Sequence, residues 1–421
     1  MAILYQDTAE EAPETPSLKH EARCDVVVIG GGFTGLSTAL HLASGGSKVV
    51  LLEAQSPGFG ASGRNGGQVN PGLKLDPDTV ERDHGSDLGA RMNALAGRAP
   101  DLVFDLVSRL AIACEARRNG TLRAAITEEA AAPVRVTAEQ LKKRGAPAEM
   151  LGAEEVARLT GTSRYRAAMF DRRGGDLNPL SYARGLARAA IEAGAAIHGG
   201  SRALSVAREG SGWEVRTSRA KVLAARVVIA TNGYSDGLWP RLKRSIVPVF
   251  GAIAATAPLP DSLAKLVMPQ RAVLYESGLI TVYYRVDARN RLLIGGRGPM
   301  HEIHDCREIA PLMRYAARLW PALEGIAYTH AWGGRLAMTR DHYPHVHEPA
   351  PGLLICLGYN GRGVALATAL GQELARYIAS PAAGIDMPIS GIKAIPLHRF
   401  WRVGVRFVIA RARFSEALGR G

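Results

Sequence analysis

Residues 60–72 read GASGRNGGQVNPG, with five glycines, one arginine, two asparagines and a glutamine. A turn needs one or two glycines, so this stretch is too bare for a hairpin and offers almost nothing to a core. Such a backbone can press close against a ligand while its polar side chains bond to it. Three other stretches share the character. VVVIGGGFTG carries Gly30, Gly32 and Gly35 in the pattern GxGxxG, ATNG closes an apolar run with Thr231, Asn232 and Gly233, and GYNGRG spans 358–363. In GxGxxG the first glycine makes the turn, the second lets backbone amides reach a pyrophosphate, and the third lets helix pack on strand. The helix that follows Phe33 and Thr34 adds the partial positive charge of its N-terminus. Glu53, followed by Ala54, ends the next apolar run, where a carboxylate can accept both ribose hydroxyls. Together these residues predict dinucleotide binding.

The elements that must position them follow from the surrounding pattern. CDVVVIGGGFTGLSTALHLASGGSKVVLLEA reads as a buried strand over 26–29, a glycine turn, a helix from Gly35 to Ala43 and a second strand ending at Glu53. Continuous apolar strands of this kind suit a parallel sheet covered on both faces. Region 86–150 is Ala/Arg-rich and mostly helical by periodicity. Asn178 and Pro179 read as the cap and first position of a helix that stops at Gly194. Two short strands then lead to ARVVIATNGYS. Region 245–300 is strand-like, and LITVYYRV-DARN-RLLIGGRG reads as a hairpin with a four-residue loop. PGLLICLGYNGRGVALATALGQELARYI returns to strand, glycine loop and helix. The expected fold is therefore α/β: a discontinuous Rossmann-like nucleotide-binding domain over 22–85, 150–240 and 325–398, and a second, mixed or antiparallel-sheet domain over 86–149 and 241–324 that binds substrate.

A nicotinamide enzyme has one fingerprint and then a catalytic domain, and no second GxGxxG follows a strand here. Four glycine-rich loops spread over the chain fit a long, buried FAD better. A helix N-terminus at GYNGRG suits the negative charge that a flavin gathers at its pyrimidine end.

The 421 residues are 47% hydrophobic and 22% charged, an ordinary globular composition whose length favours two domains or one large one. The net charge is +13, but the basic residues are spread along the chain and read as solvated surface, not a nucleic-acid footprint. Four dispersed cysteines suggest a reducing compartment, and nothing resembles a signal peptide or an apolar span, so the expected location is the cytoplasm. His342 and His345 lack metal-site spacing, and no metal is expected.

GASGRNGGQVNPGLKLDPD, WGGRLAMTRDHYP and GYNGRGVALATALG resemble the FAD-dependent D-amino-acid-oxidase superfamily, over 25 to about 413 of the chain. The loop is most similar to bacterial L-pipecolate oxidases and γ-glutamylputrescine oxidoreductases. The resemblance implies flavin contacts from Gly60, Ser62, Arg64, Asn65, Gly66, Gly67 and Gln68. It implies pyrimidine-end contacts from Asn360, Gly361, Arg362, Gly363 and Val364, and cofactor roles for Gly334 and Arg335. The strand around Ala203 would meet the adenine. Monomeric sarcosine oxidases tether flavin through a cysteine in a CMYT-like segment; Leu336-Ala337-Met338-Thr339 stands there, so FAD is expected to be non-covalent. The same cousins activate oxygen with a lysine, and 271–300 contains none, which leaves oxygen or a quinone as acceptor.

The implied reaction oxidises a carboxylate-bearing secondary amine or amino acid, L-pipecolate-like, to the imine by hydride transfer to flavin. The alternatives are a γ-glutamylputrescine or polyamine oxidase, and a D-amino-acid or N-methyl-amino-acid dehydrogenase using quinone. A flavin-binding module without turnover is a further alternative. A substrate carboxylate calls for an arginine fork and a tyrosine hydroxyl. Strand alternation puts Tyr283 and Arg285 on one face and Tyr284 on the other, and each is a candidate for the pocket. Arg297 is a further candidate, Trp332 would wall the flavin, and Arg64 would lie over or beside its ring. The tail 399–421 is basic and apolar together, with Arg399, Arg402, Arg406 and Arg413 on one side and Phe400, Val403, Phe407 and Phe414 largely elsewhere. It reads either as a helix resting on anionic lipid or, the favoured reading, as a last helix docked on the FAD domain.

Overall fold

The computed structural model describes residues 3–278, 281–303 and 305–407. Two eight-stranded sheets organise the chain. In the first, His345–Ala350, Leu353–Leu357, Lys221–Ile229, Ala22–Ile29, Val49–Leu52 and Ala196–His198 lie side by side, with the hairpin Ser205–Glu209/Gly212–Arg216 attached to Lys221–Ile229. Its central pairs are parallel. The near-continuous branched residues of 26–29, 49–52 and 353–357 are buried, as strands covered on both faces require. Helices Phe33–Ser44, Ser86–Arg109, Pro179–Glu192 and Gly363–Ala379 supply one cover.

The second sheet runs Tyr328–Met338, Val247–Thr256, Leu292–Arg297, Tyr283–Val286, Val273–Glu276, Thr121–Ala125, Ala167–Asp171, Ala148–Gly152. Every pair is antiparallel except Val273–Glu276 with Thr121–Ala125. One face carries Leu122, Ala124, Leu274, Tyr284 and Ile294 into a core with Trp320. The opposite face carries Arg123, Tyr275, Tyr283, Arg285 and Gly295, which share register positions across four strands.

Several expected boundaries move. The strands at 148–152, 167–171 and 328–338 belong to the second sheet, and Ser86–Arg109 packs into the core of the first. The Ala/Arg-rich region also holds the strand Thr121–Ala125, whose five residues are too few to outweigh flanking helices in any periodicity window. The hairpin forms, but with the five residues 287–291 as its loop in place of the expected four. Asn178 caps Pro179–Glu192 by accepting from the Ser181 N–H at 3.2 Å. Ala203 lies in a buried connection rather than a strand, held near Glu53 by the bond from Ser201 N–H to Glu53 C=O.

The N-terminus departs from expectation. The N-terminal arm forms the short helix Leu4–Thr8, with Leu4 and Tyr5 only 1% and 2% exposed against Ile253, Leu293 and Trp332. In the described part of the C-terminal tail, helical over 401–407, Trp401 and Val405 are half-buried while Val403 and Phe407 are 64% and 70% exposed. Arg402 and Arg406 lie beside Met300 and His301. Arg413 and Phe414 lie outside the described residues. Among the described residues no helix is long and apolar enough to cross a membrane. No described group of three His, Cys, Asp or Glu is placed to hold a metal ion.

Candidate active site

The four glycine-rich segments converge. Gly30 sits at φ +112°, and a Cβ there would lie 2.7 Å from the Ala230 carbonyl oxygen. At Gly35 a Cβ would lie 1.9 Å from the Gly30 carbonyl oxygen, so both glycines are set by close approach of backbone to backbone. Glu53, one residue past its strand, accepts from Gly31 N–H at 2.6 Å and Gln55 N–H at 2.9 Å. Burial pushes its carboxyl above the ordinary range, and these backbone bonds draw it partly back. The Ser62 hydroxyl accepts from Phe33 N–H at 3.0 Å, tying the second glycine segment to the first helix turn. Thr34 bonds Tyr359 of the GYNGRG segment.

ATNG joins the same cluster. Asn232 Oδ1 accepts from Gly358 N–H at 2.9 Å, Thr231 bonds Ser235, and a Cβ on Gly233 would meet the Arg335 carbonyl at 2.5 Å. Asn360 is buried and spends its amide on Thr339 and the Gly358 carbonyl. Helix Gly363–Ala379 starts at Gly363 and Val364 with no side-chain cap and no acid in its first turn. Its first N–H groups are thus available to an electron-rich partner.

Within GASGRNGGQ the side chains mostly hold the loop. Asn65 Nδ2 donates to the Ala61 and Ser62 carbonyls while its Oδ1 accepts from Gly67 N–H. Gln68 Nε2 donates to the carbonyls of Leu274 and Tyr284, tying the loop to the second sheet. Gly66 leaves room for the Tyr283 ring, whose edge would lie 2.6 Å from a Cβ there; Gly295 does the same from the next strand, at 2.3 Å. Trp332 is buried against Tyr5, and its Nε1–H donates to the Arg64 carbonyl at 2.9 Å. The Arg64 guanidinium lies 4.5 Å from the Phe59 ring centre, and a Cβ on Gly334 would meet Arg64 Cβ at 3.3 Å. Arg335 lies 4.5 Å over Tyr234, which also closes on Gly60.

Two expected pocket residues have other work. Tyr284 projects to the far face, where its hydroxyl donates to Tyr165 at 2.9 Å and its ring packs edge-on to Trp320. A period of two allows no other outcome once Tyr283 faces the loop. Arg285 faces the loop, but as a buried clamp. It pairs with the fully buried Asp176 at 2.8 Å and donates to Gly66 and Leu177 carbonyls at 2.6 and 3.1 Å and to the Tyr5 hydroxyl at 3.4 Å. Asp176 also takes both ends of the Arg117 fork. Sequence reasoning missed Asp176, Arg117 and Tyr5, since their partners are distant in the chain. It missed Tyr275, whose hydroxyl accepts from Arg362 at 2.8 Å, although period-two alternation through Tyr283 points to it.

These residues fit an extended dinucleotide. Arg64 Nε and Arg335 Nε are buried polar atoms with no hydrogen-bond partner among the described residues, both in the glycine cradle, and the late helix is uncapped. A buried donor left unpaired is costly, and a ligand's phosphate or ring oxygen would satisfy it. Residues 25–377 match the family model described as FAD dependent oxidoreductase. The chain belongs to that family. The oxidoreductase is 30% identical over 385 residues to a γ-glutamylputrescine oxidoreductase of Escherichia coli, covering 91% of this chain and 90% of that one. It is similar to solved structures of a glycine oxidase from Geobacillus kaustophilus (TM-score 0.74, 23% identity, 88% of this chain and 100% of that one) and an L-proline dehydrogenase from P. horikoshii (0.72, 20%, 86% and 95%). At these identities the two structures show the fold alone.

Proposed function

We propose that the oxidoreductase converts a carboxylate-bearing secondary amine or amino acid to its imine, with non-covalently held FAD taking the electrons. FAD, when bound, accepts the hydride from the carbon next to nitrogen; the nitrogen's proton goes to solvent and a C=N bond remains. The observation that carries the reading is the meeting of Tyr283 with Gly66 and Gly295, where a sheet face is pared to glycine beside the loop that carries Arg64. The Tyr283 ring fills the space that Gly66 and Gly295 leave, and together with Trp332 it presents apolar surface beside that loop, which would exclude water and disfavour the ammonium form of an amine. Glu53 would hold the ribose, and the amides at Gly363 and Val364 the ring's electron-rich edge. Arg64 would add positive charge beside the ring.

The likeness to γ-glutamylputrescine oxidoreductase favours a second substrate, a γ-glutamylated polyamine, which also bears a carboxylate. An anaerobic screen tests both: FAD absorbance is followed across cyclic imino acids, N-methyl amino acids and glutamyl polyamines. Bleaching by carboxylated amines and not by their decarboxylated counterparts is expected. Bleaching by none of them would leave a flavin-binding protein without this turnover.

A further inference from the structure

A cavity of about 430 Å³ opens on the loop-facing side of the second sheet, lined by Lys74, Arg123, Tyr275 and Arg362 with Leu73 and Met169. Its charges are unbalanced in a particular way. Of the basic residues at its wall, Arg144 is neutralised by Asp78 and Glu81, and Arg173 by Asp171. Those pairs consume the cavity's own carboxylates, Glu81 and Asp171. Among the described residues Lys74, Arg123 and Arg362 have no acidic partner. Lys74 makes no hydrogen bond or ion pair among the described residues, and Arg123 bonds only the Thr137 hydroxyl. Arg362 spends its donors on the Pro71 carbonyl and the Tyr275 hydroxyl. Arg98, with no partner among the described residues, stands exposed at the rim.

Three unneutralised cations around one cavity, Lys74 exposed at its mouth and Arg123 and Arg362 half-buried in its wall, repel each other, and an anion among them would relieve that repulsion. Although Lys74 is exposed there, burial of its stem first, then Arg362 and Arg123, lower its pKa to about 8. The cavity also adjoins Tyr283 and the loop it packs on. Tyr275 is the cross-strand partner of Tyr283, so it begins one strand away, about 5 Å. We propose that Lys74, Arg123 and Arg362 form an anion subsite that receives a substrate carboxylate at the end remote from the reacting C–N bond, with Leu73 and Met169 along the carbon chain. The inference rests on the proposed function and deepens it. It moves carboxylate recognition from Arg285, which is sealed in its own ion pair, to the cavity, and it sets the site against substrates whose far end is a free ammonium.

Calorimetric titration of the FAD-loaded full chain tests it, with glutarate as probe, glutaramide as its neutral counterpart and 1,5-diaminopentane as the cation. Glutarate should bind, at least tenfold more weakly to Lys74→Met and to Arg123→Met, while glutaramide binds no better to the parent than to either variant. The variants lie on different elements, and an unchanged flavin spectrum certifies each as folded. The groups facing Lys74 are Arg123, Arg362 and His342, the first two charged throughout. Its ammonium is present below about pH 8 and lost above. Glutarate affinity should therefore fall as pH rises through that value, with a weaker slope in Lys74→Met. Equal glutarate affinity in parent and variants, or tighter binding of the diamine, overturns the subsite. Bleaching by amines without glutarate binding sinks the subsite and leaves the turnover reading intact. Glutarate binding that depends on Lys74, with no amine ever bleaching the flavin, does the reverse.

Discussion

Replacing Arg285 with methionine separates a structural clamp from a substrate anchor. The side chain is almost fully buried, and its guanidinium is divided among Asp176, Gly66, Leu177 and Tyr5. Breaking a buried pair from one side costs about 3–5 kcal/mol, because the remaining charge keeps its desolvation penalty. Here Arg117 stays bonded to both Asp176 oxygens, which places the expected loss near the lower end, about 3 kcal/mol. The two carbonyls left without a donor add about 1 kcal/mol each. A loss of about 4–5 kcal/mol should appear in urea unfolding as a lower midpoint with unchanged slope. Because Gly66 belongs to the loop beside Arg64, FAD should also dissociate more readily, as followed by flavin fluorescence. Asp176→Asn should be similarly destabilised, and the double variant Asp176→Asn/Arg285→Met should lose less than the sum, as partners in one network do. A stable Arg285→Met whose only defect is a raised KM for carboxylated substrates would refute this reasoning and restore Arg285 as the anchor.

Glu53→Ala should weaken FAD binding by roughly 1.5–3 kcal/mol per charge-assisted bond while leaving turnover at saturating FAD nearly unchanged; fluorescence titration with unaltered affinity would show that Glu53 does not hold the ribose. Arg64→Ala should bind FAD yet lower its potential and slow its reduction on the order of 10²-fold, with Arg64→Lys intermediate. Potentiometry with no shift would leave Arg64 as a support for Phe59 and its own loop. Acid precipitation should release all flavin to the supernatant; yellow pellet protein would mean a covalent tether.

What could be read from the sequence was local. The glycine turn, the acid after the second strand and the cap at Asn178 are each set by residues a few positions apart, and all appear in the structure. The alternation of Tyr283, Tyr284 and Arg285 was legible as geometry, but not what each face meets. Arg285 reads as an available fork until Asp176 arrives from over a hundred residues earlier. Leu4 and Tyr5 look like part of a polar arm because their burial depends on Trp332. The cavity's charge imbalance was likewise invisible: Arg144 and Arg123 are equivalent letters until Glu81 claims one of them.

The order of strands in the first sheet also bears on how the chain is made. Ile29 pairs with Ile229, and Ile229 with Ile355, so the turn at Gly30 is flanked by pieces synthesised far apart in time. An emerging polypeptide carries the dinucleotide fingerprint almost from the start, but it cannot close the pocket until the helix beginning at Gly363 has left the ribosome. Parallel pairings between such remote segments form slowly and leave open edges that attract other chains. We expect cofactor capture to come late in folding, so that the yield of soluble protein should follow the supply of FAD during expression more than the strength of induction.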